Sequence, residues 1–186
     1  MRKIILASQS PRRKQLLEWA EVSFDVVIKE TDESYPQHLA SADVAIYIAK
    51  NKAAAIKQLY GDDVPILSAD TIVVLNNEII GKPVNREDAI HILSKLSAKK
   101  HNVITGVCVL FNNKEIAFSD ITEVEFHELT KEQIVFYVDN YKPYDKAGAY
   151  AIQEWLGVIG IKSINGDFYN VMGLPVSRVV KELNKL

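Results

Sequence analysis

Several short stretches of this 186-residue sequence carry residue types at spacings that suit chemistry. The first is Ser8-Gln9-Ser10-Pro11-Arg12-Arg13, which follows the apolar run Ile4-Ile5-Leu6-Ala7 and leads into a helical pattern with Leu16, Leu17, Trp19 and Ala20. Ser10 suits an N-cap, and Pro11 suits the first helical position, where its missing N–H has no intrahelical partner to lose. A helix N-terminus presents free backbone N–H groups and the positive end of the macrodipole. Two hydroxyls and two guanidinium groups added there make a pocket for phosphate oxygens. Arginines at a helix start oppose the dipole, and a bound anion would offset that cost. The same residues also read as a capped surface helix with its arginines in solvent.

A second stretch, Pro65 to Leu75, is a nearly unbroken apolar run interrupted by Asp70. A carboxylate buried in a central strand costs several kcal/mol, at roughly the scale expected for an ion, unless it is paired, hydrogen-bonded or metal-bound. A buried salt bridge is the structural explanation. A functional one is favoured because the strand leads on to Gly81-Lys82-Pro83, a tight loop offering a cation. In the acidic loop Lys29 to Ser34, the carboxylates of Glu30, Asp32 and Glu33 repel one another; a divalent cation such as Mg²⁺ or Mn²⁺ would relieve this, and a solvated loop is the plainer reading. Lys50 and Lys52, two positions apart on one helix, must point in different directions, so at most one faces a cleft. In Lys142 to Gln153, small residues are interleaved with Asp, Lys, Tyr and Gln, which can read the edge of a base or ribose.

No Walker loop, dinucleotide-binding glycine pattern, zinc motif or nucleophile elbow occurs, and His38, His91, His101 and His127 lack metal-ligand spacing. Cations and carboxylates without a covalent nucleophile indicate metal-assisted attack of water on phosphorus, with one carboxylate orienting or deprotonating the water.

The elements that must hold these residues follow from hydrophobic period and turn residues. Phe24 to Ile28 reads as a strand, and Ala42 to Tyr60 as a helix capped by Ser41 and ended by Gly61. Asn76-Asn77 turns the central strand into Glu78-Ile79-Ile80. Asn85 caps a helix with Asp88 in the reciprocal position and Ala89, Ile92, Leu93 and Leu96 buried. A strand from His101 to Phe111 turns at Asn112-Asn113 into Glu115 to Phe126. In it Thr105 and Gly106 can approach a ligand, with a bulge the simpler reading of the glycine. Cys108 in that strand reads as a small buried hydrophobe. Thr130-x-x-Gln133 is a capping box opening a helix with Ile134, Val135 and Val138 buried. The chain closes with a strand near Val158 to Ile164, an Asn165-Gly166 hairpin turn, a strand through Tyr169 to Val171, and a helix started by Pro175.

The length fits one domain, or two lobes sharing a cleft. With 48% hydrophobic and 25% charged residues the chain has the composition of an ordinary globular protein. A net charge of −2 argues against a general nucleic-acid binder. The apolar stretch after Arg2-Lys3 is too short for a signal peptide and none is long enough to span a bilayer, which points to a cytoplasmic protein.

Ser8-x-Ser10-Pro11-Arg12-Arg13, Ala69-Asp70-Thr71, Gly81-Lys82-Pro83 and Asp145-Lys146-Ala147-Gly148-Ala149-Tyr150 occur in the order and spacing of the Maf-like nucleoside triphosphate pyrophosphatases, and the resemblance spans almost the whole chain. It implies one Maf-like domain over residues 1–186: an α/β fold with a mixed twisted sheet, flanking helices and two lobes around a central cleft, similar to inosine triphosphate pyrophosphatases. It also implies hydrolysis between the α- and β-phosphates with a divalent metal, Mg²⁺ or Mn²⁺. By the resemblance Asp70 is the proton acceptor, Glu33 and Asp70 hold the metal, and Ser8, Arg13, Lys52 and Lys82 contact phosphates. Arg12, Thr71 and Gln153 match the branch acting on dTTP and UTP. Two departures stand out: Lys142 replaces a usual Glu before the Pro, and Ala151-Ile152-Gln153-Glu154 replaces the commoner Gly-Ile-Gln-Gly. A homodimer is compatible with the family. The alternative from another class is a nucleotide-sensing regulator of cell division without significant turnover.

Overall fold

The computed structural model describes residues 2–186. Its sheet begins with two short parallel pairings: β1 (Ile4–Leu6) lies between β2 (Phe24–Val26) and the first residues of β3 (Ile66–Leu75). The far end of β3 pairs antiparallel with β4 (Glu78–Ile80), Val73 opposite Ile80. β5 (Lys100–Phe111), β6 (Lys114–Phe126) and β7 (Ile161–Asn165) complete the seven strands found among the described residues, in the order β2-β1-β3-β5-β6-β7, with β4 on β3. The helices are α1 (Pro11–Trp19), α2 (Ser41–Tyr60), α3 (Arg86–Leu96), α4 (Lys131–Tyr141), α5 (Trp155–Gly160), α6 (Phe168–Met172) and α7 (Val176–Leu183), with a short 3₁₀ turn at Ala147–Ala149. This is the mixed α/β class expected. No helix among the described residues is long and apolar enough to cross a membrane.

The chain divides into two compact units. One comprises Met1–Thr71, Thr105–Asp120 and Gly173–Leu186, the other Ile72–Ile104 and Ile121–Met172, so β3, β5 and β6 each pass from one unit into the other. In the first, the Ala49, Ala53 and Ile56 stripe of α2 packs on Ile66, Cys108 and Leu110. In the second, Ala89, Leu93 and Leu96 of α3 and Ile134, Tyr137 and Val138 of α4 pack with Val73, Leu75, Val124 and Phe126. Each fully buried Leu, Ile, Val or Phe side chain among these contributes roughly 1.5–3 kcal/mol.

Local signals set most boundaries. Ser10 Oγ accepts from the Arg13 amide at 3.4 Å with Pro11 opening α1, Asn85 Oδ1 accepts from the Asp88 amide at 2.9 Å, and both halves of the Thr130–Gln133 capping box are present. The turns Asn76-Asn77 and Asn112-Asn113 have positive φ throughout, the conformation for which asparagine is favoured in two-residue hairpins. Gly106 has a packing reason: a Cβ there would lie 2.2 Å from the Ala45 carbonyl carbon, so the backbone of α2 closes directly on β5.

Some expectations are corrected. Ser41 is the first helical residue of α2, and Ala40, its N-cap, supplies no side-chain bond. β2 stops at Val26. In α4 Tyr137 is buried and Val135 only half-buried, as the spacing 134, 137, 138 of one helical face requires. Residues 155–160 form a helix before β7, because an apolar run of that length has no period to separate strand from helix. Tyr169 to Val171 lies in α6, not a strand: Asp167 Oδ1 takes the Tyr169 amide at 2.8 Å and starts a helical turn.

Candidate active site

Ser8, at the end of β1, and Arg13, in the first turn of α1, are both buried. The Arg13 guanidinium donates from Nε to the Gly173 carbonyl at 2.8 Å, from Nη1 to Ser8 Oγ at 3.1 Å and from Nη2 to Thr71 Oγ1 at 3.0 Å. Ser8 Oγ also accepts the Ser10 amide at 3.2 Å, and the Thr71 hydroxyl pairs with that of Thr105, fully buried on β5, at 2.9 Å. Arginine supplies a fixed planar fork of five donors, and three are occupied by protein acceptors that hold its plane. Burial pulls the Arg13 pKa down to about 10; Asp70 opposes the shift, Arg12 adds to it and Glu33 opposes it. The guanidinium therefore stays cationic at neutral pH. The solvent-exposed reading of this helix start fails for Arg13; Arg12 is half-buried.

β3 is fully buried except at its midpoint, where Asp70 and Thr71 are partly open. Consecutive strand residues project to opposite faces. Thr71 meets Arg13 and Thr105, whereas Asp70 turns toward α2 and receives a hydrogen bond from Lys52 Nζ at 2.7 Å. The same ammonium lies 2.7 Å from Glu33 Oε1. The cost of the strand carboxylate is thus met by a salt bridge, in which the Asp70 side chain is 13% exposed and Lys52 18%. Lys50 points elsewhere, to Glu115 at 2.6 Å, as the two-residue offset requires. Arg13 meets β3 through Thr71, on the face opposite Asp70, yet the Arg13 and Asp70 charges lie near enough to interact.

The acidic loop does not converge as a trio. Asp32 accepts from the Ser34 amide at 2.8 Å and its hydroxyl at 2.6 Å, and these bonds lower its pKa; Glu30 is exposed. Among the described residues no three His, Cys, Asp or Glu side chains gather at one point. Two hard oxygen donors, Glu33 and Asp70, do meet at one cationic position, that of the Lys52 ammonium. That donor set fits Mg²⁺ or Mn²⁺, which take one or two carboxylates and complete their shell with water and substrate phosphate.

Lys82 and Gln153 belong to the second unit, each exposed on a loop. The motif loops bearing Lys82 and Gly148 are tied together by the Gly148 amide donating to the Gly81 carbonyl at 3.1 Å. Buried Lys146 pairs with Asp145 at 2.8 Å and lies 3.5 Å from Glu154. Sequence reasoning missed the Gly173 carbonyl, which as a backbone group leaves no residue-type signal, and the pairing of Thr105 with Thr71 across 34 residues.

One family model, described as Maf-like protein, matches residues 3–186. A dTTP/UTP pyrophosphatase of Cytophaga hutchinsonii is 52% identical over 183 residues, covering 98% of this chain and 84% of the relative. A dTTP/UTP pyrophosphatase of Parabacteroides distasonis is 50% identical over 182 residues (97% and 94% covered), and one of Bacillus cereus 45% over 185 (100% and 96%). Among solved structures, the Ham1 protein of Staphylococcus aureus aligns with a TM-score of 0.53 at 15% identity, covering 97% of this chain and 99% of that one. A HAM1 protein of Coxiella burnetii aligns at 0.50 and 16%, covering both chains fully. At such identities the likeness shows a shared fold.

Proposed function

This chain belongs to the Maf-like protein family, and on that premise we propose that it is a nucleoside triphosphate pyrophosphatase acting on dTTP and UTP. The observation that carries the reading is the meeting of Asp70 and Glu33 on the Lys52 ammonium at the midpoint of β3, within electrostatic reach of the locked Arg13 fork. The names borne by relatives about half identical over nearly the full chain supply the substrate class.

In this reading Ser8, Arg13, Lys52 and Lys82 hold the triphosphate, and the fixed plane of Arg13 orients it without reorganisation during the reaction. Arg12, Thr71 and Gln153 select the pyrimidine nucleotide. A divalent cation, Mg²⁺ or Mn²⁺, held by Glu33 and Asp70, supplies charge neutralisation of phosphate oxygens when bound. Asp70 accepts a proton from water as its oxygen forms a bond to the α-phosphorus. The bond from that phosphorus to the α–β bridging oxygen breaks, and pyrophosphate leaves with the bridging oxygen, giving dTMP or UMP. General-base assistance of this kind is worth on the order of 10²- to 10⁴-fold.

Incubation of the purified protein with dTTP or UTP and Mg²⁺ or Mn²⁺ tests this: pyrophosphate and the nucleoside monophosphate are expected in one step. Stepwise orthophosphate release, or tight nucleotide binding without turnover, overturns it.

A further inference from the structure

The turn bearing Gln153 is held far more firmly than an exposed loop needs to be. Ala151-Ile152-Gln153-Glu154 is closed by the Glu154 amide donating to the Ala151 carbonyl at 3.1 Å. The phenol of Tyr137, fully buried on α4, grips both ends: its oxygen accepts from the Ala151 amide at 3.1 Å and its O–H donates to Glu154 Oε2. The other carboxylate oxygen, Glu154 Oε1, lies 3.5 Å from the ammonium of buried Lys146. α5 also closes on the same turn, where a Cβ at Gly157 would fall 1.8 Å from the Ile152 carbonyl oxygen. Between these clamps Gln153 alone of the four residues is exposed.

We infer that Tyr137, Glu154 and Lys146 form a latch that sets the position of Gln153, making Tyr137 and Glu154 positioning residues for base selection. The inference rests on the reading of Gln153 given under the proposed function. Thymine and uracil offer an N3–H donor beside the O4 acceptor, whereas cytosine offers the reverse, an N3 acceptor beside an amino donor. A carboxamide has one acceptor and one donor end, so a glutamine held in one place favours one of these patterns. A mobile one turns to satisfy either, and discrimination falls because no buried group is left unpaired with the wrong base. Holding the backbone beforehand also spares the ordering that an unrestrained loop would undergo on binding.

The test compares the full-length wild type with Tyr137→Phe, Glu154→Leu and Glu154→Gln, measuring kcat and KM for dTTP and dCTP. Losing one hydrogen bond to a charged acceptor corresponds to about a 10-fold effect, so Tyr137→Phe and Glu154→Leu raise KM for dTTP and lower the dTTP-over-dCTP ratio of kcat/KM by about that factor. The value of kcat for dTTP changes little, as expected when uniform binding is lost. The double variant is no worse than either single one, and Glu154→Gln, which keeps an acceptor for the phenol, restores most of the selectivity. Backbone amide exchange over residues 151–154 accelerates in Tyr137→Phe, a readout independent of turnover. An unchanged nucleotide ratio in Tyr137→Phe and Glu154→Leu, or an equal fall in kcat for both nucleotides, overturns the latch while leaving the pyrophosphatase intact. A wild type inactive on every triphosphate overturns the function itself.

Discussion

Replacing Arg13 by lysine keeps the charge and removes the fork, which separates the two contributions of this residue. The three protein bonds of the guanidinium are 2.8 to 3.1 Å long and its side chain is buried. A lysine ammonium reaches at most one of the three acceptors from this position. The Ser8 hydroxyl then keeps the Ser10 amide, and the Thr71 hydroxyl keeps Thr105, so neither is stranded. The Gly173 carbonyl loses its main donor and keeps the long bond from the Thr71 hydroxyl at 3.5 Å. One stranded buried acceptor and one further lost charged bond, partly recovered by the hydroxyls, amount to about 2–3 kcal/mol. Urea unfolding with an unchanged m value reads this directly as a lower midpoint. Lysine is ordinarily less basic than arginine and meets the same burial, so the variant's ammonium loses its proton at a lower pH than the Arg13 guanidinium does. Its activity with dTTP therefore falls at a lower pH on the alkaline side than that of the wild type, where burial pulls the Arg13 pKa down only to about 10. An Arg13→Lys variant as stable as the wild type and flat in pH would refute the reasoning that the fork is held by these bonds.

Asp70→Asn should lose on the order of 10²- to 10⁴-fold in kcat with little change in fold, since a carboxamide still accepts from Lys52 but takes no proton from water; near-normal turnover in a steady-state assay removes Asp70 as the base. Burial holds the His101 pKa down at about 4, the backbone of Lys99 opposing the shift slightly. A folded-state pKa below the unfolded value of about 6.5 means that the unfolded chain binds the proton first, so stability falls as pH drops from about 6.5 toward 4 and falls no further below that. His101→Gln should therefore lose about 2–3 kcal/mol less than the wild type between pH 7 and 4.5 in urea unfolding; equal losses contradict this. The Cys108 thiol, pushed up to about 12 by burial first and Glu115 second, should react with a thiol reagent only on unfolding, and rapid labelling of the folded protein would show it accessible.

What was legible in the sequence was what neighbouring residues decide. Ser10 with Pro11, Asn85, the Thr130–Gln133 box and the two Asn-Asn turns are local devices, and each sits where its side chain or φ preference places it. Asp70 stood out because it interrupts an apolar run, but the cation the sequence suggested for it was Lys82, whereas its partner is Lys52; helical geometry required only that Lys50 and Lys52 point apart, as they do. The turn signal of Asn165-Gly166 is real, with Gly166 at φ 130°, but it was extended into a hairpin when Asp167 already carried a helix start. The rest depended on tertiary proximity: Gly173 is 160 residues from Arg13, Thr105 is 34 from Thr71, and Tyr137 reaches Glu154 across 17. No local period announces such pairs.

The central claim is that water attacks the α-phosphorus. Turnover of dTTP in H₂¹⁸O, followed by mass analysis of both products, tests it most directly. The account predicts one ¹⁸O in dTMP and none in pyrophosphate; label in pyrophosphate or in released orthophosphate would contradict it.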